Sequence, residues 1–262
     1  LVIEAVFENM DVKKEVFSKL NETVSENTIL ASNTSYLDID EIATVVDNPE
    51  RVLGMHFFSP ANIMRLLEII KAEKTSPAIL ATVLKLAKSI KKVGAVAGVC
   101  HGFIGNRMLT GYSREANLLV LEGAPPEQVD RVLYEFGMPM GVIAMADMAG
   151  IDIGTRLRQQ MDESDYDVMA TSVADKLVAQ GRCGQKTSAG FYDYQAGNRT
   201  PIPSEVTKQI ISETAEEFGV VQREISDDEI IERCFYAMCN TGFDILHEKM
   251  AFRSSDIDTV YI

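Results

Sequence analysis

The sequence has 262 residues, 46% of them hydrophobic, with a formal net charge of −14. That length accommodates one large or two ordinary domains with real cores, and the acidic balance excludes a nucleic-acid surface, which needs a basic footprint. No apolar run is long enough to span a membrane, so neither nucleic acid nor membrane is an expected partner. A phosphorylated small molecule held by a few local lysines stays open. Cys100, Cys183, Cys234 and Cys239 form no C-x-x-C pair, and there are only three histidines. A metal site or disulfide framework is therefore not expected, and a reducing compartment is.

Leu1 to Val6 reads as a buried strand from its first position, which predicts that the chain begins inside a domain, since a raw strand edge is a liability. Asp11 is a candidate cap for a helix whose apolar residues Val12, Val16, Phe17, Leu20 and Val24 share a face. Glu15 and Lys19 are spaced as a favourable pair on it. Thr28 to Ser32 is a second strand, ending in the polar cluster Asn33-Thr34-Ser35. A short helix over Asp38–Val46 is broken by Asn48-Pro49. Strands follow over Val52–Phe58 and Leu66–Ile70. Ser76-Pro77 opens a helix reaching about Lys92, and Gly94–Val99 is the last strand. Such alternation predicts a mainly parallel sheet covered by helices. Ligands of these sheets sit at the carboxyl ends of the strands, where Asn33, Ser35 and His56 fall.

After His101-Gly102 the pattern is helical to about Ala179, punctuated by Gly123-Ala124-Pro125-Pro126 and Gly137-Met138-Pro139-Met140-Gly141. Gly184–Thr187 and Gly190–Tyr192 mark a turn-rich segment, and Gly197–Pro201 reads as a linker. Ser226-Asp227-Asp228-Glu229 is a capping box opening a long helix to about His247. A faint repeat relates the stretch from Asn106-Arg107 through Val129–Leu133 to that from Glu232-Arg233 through Ile257–Tyr261. It suggests two related helical lobes. Ile262 reads as an interior strand residue.

The stretch Val52–Ile70 sets one imidazole, His56, and one carboxylate, Glu68, in apolar surroundings. Both are costly to bury without partners. If they pair, the carboxylate fixes the imidazole tautomer and favours its protonated form, making a general base able to take a proton from an alcohol. The competing reading is a packed core histidine and an unrelated surface glutamate.

Ala31-Ser32-Asn33-Thr34-Ser35, His56-Phe57-Phe58-Ser59-Pro60, Leu67-Glu68-Ile69-Ile70 and Gly102-Phe103-Ile104-Gly105-Asn106-Arg107 occur in one order. Together with Gly137–Gly141, Asp147 and Lys186-Thr187 they resemble the L-3-hydroxyacyl-CoA dehydrogenases of fatty-acid β-oxidation. The tail is similar to the one that ends multifunctional members, which also carry an enoyl-CoA hydratase domain upstream. The resemblance implies an incomplete α/β Rossmann-like fold, its carboxyl-terminal half, followed by an all-α dehydrogenase C-terminal domain. Residues 1–99 would be the partial NAD-binding domain, 100–198 the helical domain and 199–262 an incomplete second helical lobe.

The implied reaction is NAD-dependent oxidation of L-3-hydroxyacyl-CoA to 3-ketoacyl-CoA. His56 would be the general base, and Glu68 would orient it and stabilise the imidazolium. Ser35 and Asn106 would hydrogen-bond the substrate's oxygens, although Ser35 could also cap the helix after it. Glu8, Lys13 and Asn33 would line the nicotinamide half of the cofactor site, with Ala5 packed nearby. The acyl-CoA would lie between the sheet's carboxyl end and the helical domain, with a hinge at Val99–Gly102. Asp147 and Lys186 read as structural, and Lys85, Lys88 and Lys92 as a solvated helix face. Ser59, where single-function members often carry asparagine, is a mark of the multifunctional branch. Val142, where proline is usual, bears only on local helix geometry.

The family binds the pyrophosphate with G-x-G-x-x-G at a helix N-terminus, and that motif is absent from this sequence. The chain begins about where the family's fourth strand would be. It would therefore bind NAD poorly by itself, be poorly soluble or pair with another chain, a homo-oligomer included. The alternatives are an inactive truncated relative serving as a helical interaction or dimerisation module, and a related dehydrogenase of another 3-hydroxy acid. The family's compartments are the bacterial cytoplasm and the peroxisome.

Overall fold

The computed structural model describes residues 1–159 and 161–261; the expectation for Ile262 lies outside the described residues. Two compact units emerge, one holding Leu1–Leu109 with the C-terminal residues from Asn240, the other Thr110–Cys239.

The first unit begins with β1 (Val2–Glu4), α1 (Met10–Thr23), β2 (Leu30–Ser32), α2 (Ile39–Ala43), β3 (Val52–Phe57), β4 (Leu66–Ile70), α3 (Pro77–Ser89) and β5 (Val93–Ala97). The strands form one sheet in the order β1-β2-β3-β4-β5. All neighbours are parallel except β3 and β4. Helical crossovers are what parallel neighbours require, whereas the short link between β3 and β4 suits an antiparallel pair. Ala31, Leu53, Met55, Leu67 and Ile69 form one buried face with Val83 and Ala87 of α3. On the opposite face Gly54 lies against Ile70 and Ile39, so close that a Cβ there would come within 2.7 Å of Ile70 Cβ.

Several local expectations are corrected. β1 is shorter than Leu1–Val6, and its buried residue is Glu4, while Leu1, Ile3 and Val6 are exposed. Asn9, not Asp11, caps α1, its side chain accepting from Val12 N at 3.1 Å. Val12 is exposed, and the buried positions of α1 are Phe17 and, unexpectedly, Lys13. α2 is capped by Asp38, whose carboxylate accepts from Asp40 N and Glu41 N, so Ser35 is not its cap. Ser76 caps α3 with Pro77 in its first turn, but that helix stops at Ser89. Lys92 then leaves the solvated face and donates to the carbonyls of Ala61 and Met64.

The second unit contains most of α4 (Gly105–Leu121), then α5 (Pro126–Phe136), α6 (Val142–Ala149), α7 (Asp152–Arg158) and α8 (Val168–Ala179). The hairpin β6 (Tyr192–Asp193) and β7 (Ile202–Pro203) follows, then α9 (Glu205–Glu217) and the first part of α10 (Asp227–His247). β6 and β7 pair antiparallel, so Gly197–Pro201 lies in the loop of a hairpin rather than in a linker. Ser226 Oγ accepts from Glu229 N at 3.2 Å, while the Glu229 carboxylate turns to Arg223 instead of closing the box.

Val142 opens α6 without proline because a carboxylate does the capping: Asp130 accepts from Ile143 N at 2.8 Å and Ala144 N at 2.9 Å. A Cβ at Gly141 would fall 2.2 Å from Asp130, which is why glycine stands there. Asp147 is fully buried and accepts from Phe191 N, Tyr192 N and the Tyr194 hydroxyl, each at 2.9 Å. Burial pushes its carboxyl up and those donors pull it back. Lys186 pairs with the buried Asp152. From Asn240 the chain rejoins the first unit. Gly98 N donates to Met250 O at 2.7 Å, Ala97 bridges Ala251, and α11 (Ser254–Val260) packs on β5. No described helix is long and apolar enough to cross a membrane.

Candidate active site

His56 and Glu68 face each other across the antiparallel β3–β4 pair. Directly opposed residues project to the same side of a sheet, so the pairing sets together two side chains twelve residues apart in sequence. His56 Nδ1 donates to Glu68 Oε2 at 2.9 Å, with the histidine 4% and the glutamate 0% exposed. The other carboxylate oxygen, Oε1, accepts from Ile104 N at 3.1 Å and Gly105 N at 3.0 Å, the amides that begin α4. Unpaired donors at a helix start favour a negative charge there. The carboxylate is thus held from two directions. The imidazole ring sits between Phe58, 4.4 Å away between centroids, and Phe103, at 5.8 Å. With Nδ1 committed to the carboxylate, Nε2 carries the lone pair.

The carboxyl ends of β1 and β2 carry a second network. Lys13 Nζ lies 2.8 Å from Glu4 Oε1 and 3.4 Å from Glu8 Oε2. Glu4 also accepts from Val6 N at 2.6 Å and from the Ser32 hydroxyl at 2.7 Å. Glu8 Oε1 gathers the loop after β2, accepting from the Thr34 hydroxyl at 2.5 Å, Ser35 N at 2.9 Å and Tyr36 N at 3.2 Å. Burial and the Glu8 charge push the Tyr36 phenol up. Asn33 Oδ1 accepts from Phe57 N at 2.8 Å, tying that loop to the residue after His56. Tyr36 stacks near His101 at 5.1 Å.

Of the residues singled out in the sequence, His56 and Glu68 share one hydrogen bond, and Glu8, Lys13 and Ser35 share one network, in which Ser35 takes part through its backbone. Asn33 bonds beside His56. Ala5 is exposed just beyond β1, and Asn106 is half-buried in the first turn of α4. Glu4 was missed. Its signal is a lone carboxylate inside an apolar strand, the same signal that pointed to Glu68.

These residues fit the nicotinamide end of a dinucleotide. Two carboxylates and one ammonium, Glu4, Glu8 and Lys13, form a donor set suited to a cationic ring, and the small Ala5 beside them is exposed. The β1–α1 link, Ala5 to Asn9, contains no glycine, so it offers no cradle for a pyrophosphate.

The family model for the 3-hydroxyacyl-CoA dehydrogenase NAD binding domain matches residues 1–100. That for the 3-hydroxyacyl-CoA dehydrogenase C-terminal domain matches residues 102–194. The chain is 42% identical over its whole length to the peroxisomal bifunctional enzyme of Danio rerio, of which it spans 38%. It is 37% identical over its whole length to the fatty acid oxidation complex subunit alpha of Acinetobacter baumannii, spanning 37% of that protein. Among solved structures, the (S)-3-hydroxybutyryl-CoA dehydrogenase of Ralstonia eutropha aligns with a TM-score of 0.67 and 35% identity, over 74% of this chain and 70% of that one. The α/β Rossmann-like sheet, the helical region and these matches agree: the chain belongs to the NAD-dependent 3-hydroxyacyl-CoA dehydrogenase family.

Proposed function

We propose that this chain carries the catalytic centre for oxidising L-3-hydroxyacyl-CoA to 3-ketoacyl-CoA in fatty-acid β-oxidation. The observation that carries the reading is the buried His56–Glu68 pair, its carboxylate also bound by the Ile104 and Gly105 amides at the start of α4. His56 Nε2 takes the proton of the substrate 3-hydroxyl. Glu68 holds the ring in the tautomer that leaves Nε2 free and lies beside the imidazolium as it forms. Bound NAD supplies the hydride acceptor for C3. Ser35 and Asn106 position the substrate's oxygens and stabilise the enolate-like 3-ketoacyl thioester. Ala5, Glu8, Lys13 and Asn33 line the nicotinamide end of the cofactor site. Phe58 and Phe103, against the imidazole, keep water from the proton being moved.

The parent protein is read as a multifunctional enzyme, with an enoyl-CoA hydratase domain upstream and a compartment that is peroxisomal or bacterial cytoplasmic. Its supports are the length left over in both long relatives and the names they carry, a peroxisomal bifunctional enzyme and a fatty acid oxidation complex subunit. Residues 1–99, 100–198 and 199–262 are assigned as NAD-binding, helical and second-lobe segments, the first two supported by the spans of the two family models. The test is oxidation of L-3-hydroxybutyryl-CoA carrying deuterium at C3 by the full-length protein with NAD⁺. The label is expected in the reduced nicotinamide, and the D-epimer should be inert. No reduction by a folded sample would overturn the catalytic reading in favour of an interaction module.

A further inference from the structure

The amides that hold Glu68 are those of Ile104, just before α4, and Gly105, its first residue, and the first turn of α4 is fastened by residues from the far end of the chain. The Tyr261 hydroxyl donates to Gly105 O at 2.9 Å. Arg107, two residues on, makes a two-pronged ion pair with Glu248, at 2.6 and 2.8 Å. Gly105 itself is wedged: a Cβ would lie 3.1 Å from Phe58 Cζ and 3.3 Å from Val260 Cγ1. Phe58 is also the ring against His56. The fastening segment is anchored on the sheet through Gly98 N to Met250 O and the Ala97–Ala251 bridge. Tyr261 is exposed along part of its ring, yet its hydroxyl reaches the buried Gly105. Burial and the charge of Glu68 push its phenol up.

We propose that Tyr261 is a positioning residue for the His56–Glu68 pair, acting with the Arg107–Glu248 ion pair by fixing the first turn of α4 so that Ile104 and Gly105 present their amides to Glu68. A carboxylate held by two fixed donors keeps one orientation toward His56; a loosened turn lets it rotate and the imidazole with it. Tyr261 and Glu248 lie on the C-terminal segment, outside the strands of the sheet, and the role assigned to them runs through α4. Its consequence for turnover rests on the catalytic reading above, while the mechanical coupling does not.

The test compares the full chain with Tyr261→Phe, which removes one oxygen, and Glu248→Gln, which loosens the same turn from its other attachment. Solvent exchange of the His56 Nδ1–H and of the Gly105 amide is followed by NMR, the three histidines being assigned by single substitution. Losing one neutral hydrogen bond should speed exchange at both sites about threefold to tenfold. The Met55 amide, in the core of the same sheet, keeps its rate. In the full-length enzyme kcat should fall by a similar factor with KM little changed, because the lost order matters when the imidazolium forms. Unchanged exchange at His56 and Gly105 in both folded variants overturns the proposal; if one variant does not fold, the other decides. Absence of turnover in the unsubstituted protein defeats the catalytic reading alone and leaves the exchange rates to judge the coupling.

Discussion

Replacing Glu68 by glutamine keeps size and shape while exchanging one acceptor oxygen for a donor amide. The site presents three donors to this side chain: His56 Nδ1, Ile104 N and Gly105 N. Two of these are backbone amides at a helix start and cannot turn away. The glutamine oxygen must therefore face α4 and its amide must face His56. To avoid opposing donors, the imidazole adopts the other tautomer, with the proton on Nε2, and can no longer accept one there. The stability loss is that of one charge-assisted bond replaced by a neutral one, about 1–2 kcal/mol. The loss of turnover is that of a general base, about 10²–10⁴-fold. The assay is NAD⁺ reduction with L-3-hydroxybutyryl-CoA, the direction in which His56 accepts the proton, with thermal unfolding as the control. A folded Glu68→Gln protein retaining kcat within a few-fold of the original would refute the tautomer argument.

Three further outcomes are expected. Lys13→Met leaves the buried Glu4 carboxylate without its cation, which should cost about 3–5 kcal/mol in denaturant unfolding; adding Glu4→Gln should recover much of it, and a neutral Lys13→Met would contradict the pairing. The exposed Cys239 should react with a thiol reagent in the native state, whereas the buried Cys234, pushed up to about 12, should stay silent until unfolding. Lys186 beside Asp152 holds its carboxyl below the usual range. Its folded value is depressed, so its stabilisation is present above about pH 4 and lost as pH falls below that. The melting-temperature gap between the protein and Asp152→Asn should then shrink in acid; a gap independent of pH would show that the ion pair contributes nothing.

The sheet was legible because its strands are short apolar runs separated by helix signals, and His56 and Glu68 stood out as polar residues within two of them. Their register was not legible: that β4 runs antiparallel to β3, and so sets Glu68 opposite His56, is decided by pairing across a loop. Lys13 reads as one polar position of an amphipathic helix, and only the fold shows it buried between Glu4 and Glu8. The hairpin around Gly197–Pro201 escaped because its strands are two residues each, too short for any periodicity. Asp130 escaped because it lies thirteen residues from the amide of Ile143 that it caps. The partnership of Gly105 with Tyr261 joins residues 156 positions apart and leaves no local trace.

The most direct test of the central claim is NADH oxidation with acetoacetyl-CoA by the full-length protein beside His56→Ala. The account predicts measurable turnover in the first and a loss of about 10³-fold or more in the second, since the imidazole that protonates the 3-oxygen in this direction, and takes that proton back in the oxidation, is gone. Equal rates in the two proteins would place the chemistry elsewhere and contradict the assignment of His56.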